Sequence, residues 1–474
     1  MKYLIYISLF LISPIIAQNG GTISFPDARS VAMGSQVAVT SNGVYSIAAN
    51  PANLTYQKSK FQISTLFPVP SINAFTGNDF MSFNELDYYF GGVKDESGNL
   101  VGRYLDTSQK DTLLSKFSDK NNIQINFAVN LFSATFFGGK EIGSFGFSIN
   151  DVIGQKTNLP KDLIDLGLNG NEVGRTYYLR DFQLSTSYLR EYDFSYARDF
   201  SYLADNIFES FSAGITLKII SGFAYSEVER IETQISTLED HSIQIQNNFK
   251  ANIAVSPDFG INWDFDNTAR TQNISPFMKP AGSGFGINLG FAAKLDSIWN
   301  FGLSITDIGS VSWNSEPVTF ESNGSYLITD IIDSTLSDSI SAYLEPTGKF
   351  TNSFSSTLPT TLRVGASFRI DKMVNGDFPG EMLIAIGYNQ GFNNSVNNTT
   401  TPLFSVGVEW KPENIIPIRS GFSFGGFNGF AWSLGFGINT DIFEINFASA
   451  DIISVLQGND SKMVQFTVGS VWKF

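Results

Sequence analysis

The amino-acid sequence predicts an all-β fold, a transmembrane antiparallel β-barrel. Three observations carry this: a period of two in hydrophobicity along most of the chain, an aromatic and glycine-rich but charge-poor composition, and an apolar leader. Of 474 residues, 44 are Phe and 42 are Gly, and only 16% are charged, against about 25% in ordinary soluble domains. Mean hydropathy is close to zero, which fits neither a bundle of membrane helices nor a disordered acidic chain. A formal net charge of −15 disfavours nucleic acid as a partner.

The leader is expected to be a signal peptide over residues 1–17. Lys2 supplies a positive start, Tyr3 to Ile12 an apolar run, and Ala17 a small residue for cleavage before Gln18. Ser13-Pro14 interrupts the run, leaving it short for a hydrocarbon core of about 30 Å. After residue 17 no stretch approaches the ~18 consecutive apolar residues of a membrane helix. The expected destination is the cell outer membrane, with outer-membrane lipid as surroundings.

Alternation then defines the strands. In residues 430–439, Phe430, Trp432, Leu434, Phe436 and Ile438 share one face, and Ala431, Ser433, Gly435, Gly437 and Asn439 the other. Residues 361–370 and 403–411 repeat the pattern, and similar runs lie near 61–67, 123–131, 142–149, 180–198, 211–223, 285–295, 299–307, 382–389, 421–427, 443–449 and 463–474. A soluble sandwich would place charges opposite its bulky face. Here the second face is mostly Gly, Ala, Ser, Asn and Thr, which suits a crowded lumen, while the greasy face suits lipid. A weaker pair near 245–265 brings the parity count to 16 strands.

With the last strand running inward, Trp299, Trp410 and Trp472 fall near the periplasmic ends and Trp263, Trp313 and Trp432 near the outer ends, as two interfacial belts. Residues 295–298 and 439–441 are expected as short periplasmic turns, 308–360 and 390–402 as long outer loops, and Asn428-Gly429 as a tight outer hairpin. Segments 160–166 and 335–345 are expected as short loop helices. At the C-terminus, Val464, Phe466, Val468, Trp472 and Phe474 share one face. Phe466, Val468, Trp472 and the terminal Phe474 look like the assembly signal of outer-membrane barrels, read by the barrel-assembly machinery through strand pairing.

Residues 26–56 contain Ala32-Met33-Gly34 and Asn50-Pro51-Ala52. This stretch resembles the opening of the long-chain fatty acid outer-membrane transporter superfamily, which includes barrel proteins of the type IX secretion system. Ser35 and Asn53 stand where that pattern often has glycine. Leu358 to Gly365, Gly387 to Asn394 and Gly421 to Gly426 are similar to the same superfamily and to a less characterised branch of it; residues 225–283 match nothing in it. The resemblance implies about 14 strands rather than 16, and an N-terminal segment folded into the lumen as a plug, with Met33, Gly34, Asn50, Pro51 and Ala52 as its motif. The residues agree: 24–58 lack strand alternation, and Asn50 can cap a helical turn that Pro51 opens. The domains expected are therefore signal peptide 1–17, plug or hatch 18–58, and barrel 59–474.

Little catalytic chemistry is available. There is no cysteine, hence no disulfide framework, thiolate metal site, cysteine nucleophile or lipidated N-terminal cysteine. His241, in Leu238-Glu239-Asp240-His241-Ser242, is the single histidine; a triad assembles in space, not by adjacency, so a solvated loop histidine is expected. No enzyme activity, cofactor or metal is anticipated. The expected function is passive transport of small hydrophobic compounds; the alternative is a structural or accessory barrel that binds a secretion or surface protein through its outer loops, 308–360 above all.

Overall fold

The computed structural model describes residues 27–203, 207–329, 346–374, 378–413, 415–427 and 429–474. Fourteen strands form the wall: β1 (Phe61–Thr65 and Ser71–Asn78), β2 (Lys120–Phe137), β3 (Ser144–Pro160), β4 (Gln183–Asp199), β5 (Ser210–Ile231), β6 (Gly282–Lys294), β7 (Trp299–Trp313), β8 (Thr361–Arg369), β9 (Glu381–Gly391), β10 (Leu403–Lys411), β11 (Ile418–Gly425), β12 (Gly429–Asn439), β13 (Phe443–Ser449) and β14 (Met463–Lys473). Each pairs antiparallel with its sequence neighbour. The ring closes where β14 meets β1, with Gln62 opposite Lys473 and Ile72 opposite Val468. Closure leaves the wall without a free edge, the condition for a sheet to sit in lipid. No described helix is long and apolar enough to cross a membrane.

The two faces sort as the alternation requires. On β12, Phe430, Leu434, Phe436 and Ile438 are exposed on the outside, while Ala431, Ser433, Gly435 and Gly437 are buried inside. The phenylalanines therefore do not lie between two stacked sheets. They form the outer apolar surface of a transmembrane barrel, and the small residues leave room within it.

The expected count of 16 is corrected to 14, because the 245–265 region does not enter the wall. β5 is 22 residues long, twice the ~10 residues that span a membrane. Its outer half leaves β6 and pairs instead with Ile243–Val255. That strand pairs with Val318–Ile328, and the sheet extends through Thr347–Phe350 on one side and Gln234–Thr237 with Thr176–Tyr178 on the other. The resulting outer lobe has its own apolar core of Val228, Ala251, Ile253, Trp263 and Val318. The expected loop 308–360 is likewise corrected: 308–313 completes β7, and Phe354–Thr357 pairs with it. Alternation does not reveal whether a greasy face meets lipid or a lobe core. A helix does span Lys161–Asn169; residues 335–345 and Asn428 lie outside the described residues.

The tryptophan belts are half realised. Trp299, Trp410 and Trp472 lie at strand ends on the side of the short turns 295–298 and 439–441, and Trp432 near the opposite end, at the start of β12. Trp263 and Trp313 do not face lipid. Trp263 is buried in the lobe; Trp313 is buried in the lumen, stacked on Tyr225 at 5.2 Å, with Nε1 donating to Ser356 Oγ at 2.9 Å. A β-bulge causes the reversal: Ile287 faces Ile308 and Leu289 faces Ile305, so two residues of β7 oppose one of β6. The extra residue turns every later side chain of β7 to the other face. Asp307, within the bulge, has φ +59° and its N–H donates to Asn288 Oδ1 at 2.7 Å.

β1 is interrupted. Thr65 lies opposite Phe132 and Ser71 opposite Asn130, so residues 66–70 leave the sheet while the neighbouring strand skips one residue. Leu66 and Phe67 point outward, Phe67 77% exposed. Pro68 and Pro70 carry no N–H to leave unpaired. Thr65 Oγ1 donates to the Phe67 carbonyl at 2.7 Å, the Ser470 hydroxyl bonds the Val69 carbonyl, and Ser71 Oγ accepts the Ser470 N–H at 3.1 Å.

Leu434 sits mid-strand on the outer face of β12. Leu434→Arg is expected to destabilise the lipid-embedded protein by about 2–4 kcal/mol, read from urea unfolding in vesicles.

Candidate functional site

The lumen contains residues 27–57, folded as short turns. Asp27 caps Ala28–Ala32, its carboxylate accepting the Ser30 N–H at 3.1 Å. Two further turns, Val37–Thr40 and Ser46–Ala49, follow. Pro51–Tyr56 is a 3₁₀ turn with Pro51 at its first position, and Asn50 Oδ1 accepts the Ala52 N–H at 3.2 Å, the cap expected from the sequence. Turns this short are not stable alone; the wall holds them. Thr216 Oγ1 donates to the Ile47 carbonyl at 2.9 Å and Ser304 Oγ to the Ala49 carbonyl at 2.8 Å. The Asn50 amide donates to the carbonyls of Ala38 at 2.9 Å and Phe291 at 3.0 Å.

The five residues of the sequence motif touch two separate stretches of wall. The backbone of Met33 and Gly34 lies on Gly421 of β11, where any Cβ would collide with it. Asn50, Pro51 and Ala52 lie on Gly290 of β6 in the same way. Ser35, standing where glycine is common, has φ +68°, a conformation that costs a non-glycine residue about 1–2 kcal/mol. Asn53, the other departure, donates to the Ala38 carbonyl at 3.0 Å.

Buried charge flanks this arrangement on both sides and ties it to the wall at Arg29. Arg29 makes a two-pronged contact with buried Glu409 of β10, Nε to Oε2 at 2.8 Å and Nη2 to Oε1 at 2.7 Å, and Arg419 Nε reaches the same carboxylate at 2.6 Å. Below lies an open vestibule of about 840 Å³, lined by Lys58, Arg369, Lys411, Glu381 and Glu444 among others. In the turn after β8, hydrogen bonding to Arg369 holds the Asp371 carboxyl below its usual range. Above residues 27–57, Lys218 of β5 is fully buried between Glu191 of β4 at 2.7 Å and Asp307 of β7 at 2.5 Å. Arg363 of β8, also buried, bonds the Thr306 hydroxyl.

Outward of this ionic layer is a cavity of about 310 Å³. Leu189, Tyr225 and Leu358 give it an apolar side, and Glu191, Glu227 and several serines a polar one. Residues 393–400 roof it: Asn393 Nδ2 donates to the Leu358 carbonyl at 2.8 Å, Asn398 Nδ2 to the Thr360 carbonyl at 3.1 Å, and Lys156 Nζ to the Asn398 carbonyl at 3.1 Å.

Of the C-terminal residues, Phe466 and Phe474 are exposed on the outer face and Trp472 is half-buried. Val468, in the same row, is buried at the seam with β1. Phe474 N donates to the Phe61 carbonyl at 2.9 Å. His241 lies in an exposed turn with φ +68°, and Ser242 Oγ donates to Asp240 at 2.6 Å rather than to the imidazole. Sequence reasoning did not single out Lys218, Glu191, Asp307 and Arg363. The available signal was parity: Lys218, Glu191 and Arg363 are long charged side chains at inward positions, most of which carry small uncharged ones, buried Asp193 being another exception.

With no native cysteine, Ser46→Cys gives a single buried reporter in residues 27–57. It is expected to resist maleimide in the otherwise native chain and to react at least about tenfold faster once Gly290→Val pushes on Asn50 and Pro51, since overpacking costs about 1–3 kcal/mol. Glu409→Gln, which leaves Arg29 and Arg419 without their shared carboxylate, is expected to cost about 3–5 kcal/mol in equilibrium unfolding.

No curated protein matches the sequence significantly. Among solved structures, the chain aligns over 96% of its length with 99% of a TodX monoaromatic hydrocarbon channel variant, at 10% identity and TM-score 0.49. It aligns over 95% with 98% of the Ralstonia pickettii toluene transporter TbuX, at 12% identity and TM-score 0.44. It also aligns over 96% with all of a Pseudomonas aeruginosa FadL homologue, at 10% identity and TM-score 0.44. A family described as of unknown function, DUF5723, matches residues 51–450, and the chain belongs to that family.

Proposed function

We propose that the protein is an outer-membrane channel for the passive entry of small, largely apolar compounds, with residues 27–57 acting as its plug. The observation that carries this reading is the series arrangement inside the barrel. A roofed cavity, a buried ionic layer, a segment held by short polar contacts and an open vestibule succeed one another along the axis. A compound would enter past residues 393–400, rest against Leu189, Tyr225 and Leu358, and leave through the vestibule once the plug shifts. Hydrogen bonds between wall hydroxyls and plug carbonyls contribute only about 0.5–1.5 kcal/mol each, so the part of the plug beyond the Arg29–Glu409 pair can rearrange without unfolding the barrel. The leader over residues 1–17 would export the chain, and its C-terminal strand would engage the barrel-assembly machinery.

A second reading, an accessory barrel that holds a protein partner, draws on the outer lobe. Its strand Thr347–Phe350 pairs on one side only among the described residues, and Phe350 is exposed; an open edge of this kind accepts an added strand.

Vesicles with a lipopolysaccharide outer leaflet test the first reading. Those containing the protein are expected to take up radiolabelled apolar probes several-fold faster than empty ones, and faster again when residues 27–57 are deleted. Equal uptake of every probe with and without protein removes the transport claim; recovery of a stoichiometric protein partner from solubilised membranes would favour the second reading.

A further inference from the structure

We infer that the outer cavity is a binding site for a small amine carried on an apolar body. The inference rests on the channel reading and specifies the cargo. Among the described lining residues there is no lysine or arginine, but there are two carboxylates, Glu191 and Glu227. They are not equivalent. Glu191 is committed to Lys218 at 2.7 Å. Glu227, half-buried, accepts the Tyr225 hydroxyl at 2.8 Å, and no basic side chain lies within ion-pairing distance of it among the described residues. Taking a carboxylate partly out of water without a counter-charge is costly. An incoming cation at Glu227 recovers that cost, whereas an incoming anion adds to it.

The rest of the lining suits an ammonium group in particular. An –NH₃⁺ has three donors and no acceptor. In the same lining the hydroxyls of Ser185, Ser187 and Ser355 can accept from it. Beside them stands an aromatic wall in which Tyr225 stacks on Trp313 at 5.2 Å and meets Phe354 at 5.8 Å. Leu189 and Leu358 complete the apolar side. Such a wall accepts a hydrocarbon ring and attracts a cation to its face. A volume of about 310 Å³ is at the small end of ligand cavities, so the body is of the size of one ring with a short chain. An apolar acid of the same size would find hydroxyl and amide donors but no cation in the lining, and would stand against the Glu227 carboxylate.

Calorimetry on the full-length protein folded in detergent tests this with three probes that share one apolar body: phenethylamine, 2-phenylethanol and 3-phenylpropanoate. The amine is expected to bind at least about tenfold more tightly than the carboxylate, the alcohol falling between, because a charge-assisted hydrogen bond contributes more than one such factor. Glu227→Gln keeps an oxygen for the Tyr225 hydroxyl. It is expected to lower amine affinity by about tenfold and leave the alcohol unchanged. Carboxylate binding as tight as amine binding, no binding of the amine, or a Glu227→Gln variant with undiminished amine affinity each overturns the inference. The three-probe order is measured on the native chain and needs no variant to fold. Uptake into vesicles, measured separately, decides the channel reading: selective binding without uptake would sink that reading and leave the site, and uptake without selective binding would do the reverse.

Discussion

A sheet in a medium without water must pair all its backbone N–H and C=O groups with itself, and the rest of this molecule follows from that requirement. The pairing of β14 with β1 meets it. Once the sheet is a ring, each strand has an inside and an outside, and the period of two assigns every side chain to one of them. Phenylalanine and isoleucine go out; glycine, serine and asparagine come in. The glycines of β6 and β11 then matter for a second reason, because they let the backbone of residues 27–57 approach the wall closely enough for wall hydroxyls to reach its carbonyls.

The barrel could be read from the sequence because its signal repeats: a pattern such as that of residues 430–439 recurs many times, and any one failure is outvoted. Trp313 shows where this stops. Parity assigns it to lipid, but the bulge at Asp307 reverses the outer end of β7, and nothing local in Ser304-Ile305-Thr306-Asp307 announces an extra residue. Residues 245–265 show a different limit. Their alternation is real, yet the face it marks packs in the outer lobe, and only long-range pairing decides that. In the lumen, the cap of Asn50 and Pro51 was visible as a local motif. The union of Lys218, Glu191 and Asp307 was not, since those residues meet across strands distant in sequence.

Charge inside the barrel is spent sparingly and in layers. Buried ions are tolerated where a partner and further hydrogen bonds meet them. Glu409 has two guanidinium groups and Lys218 two carboxylates. Neither group gains much as a stability device, since apolar residues of the same volume would serve as well. What they give is definition: each pins one strand or turn to another in a single register, at a depth where the lumen is otherwise lined by small side chains that would allow many arrangements.

The excursion of residues 66–70 sits beside the joint where the two ends of the polypeptide are brought together. Two rungs link β1 to β14 on its side nearer the C-terminal end of β14 and six on the other, whereas β4 and β5 share a nearly unbroken run. The cylinder is therefore least continuously laced along its own suture, and a hydrocarbon-clad loop rides on the bilayer side of that suture like a flap over a hem.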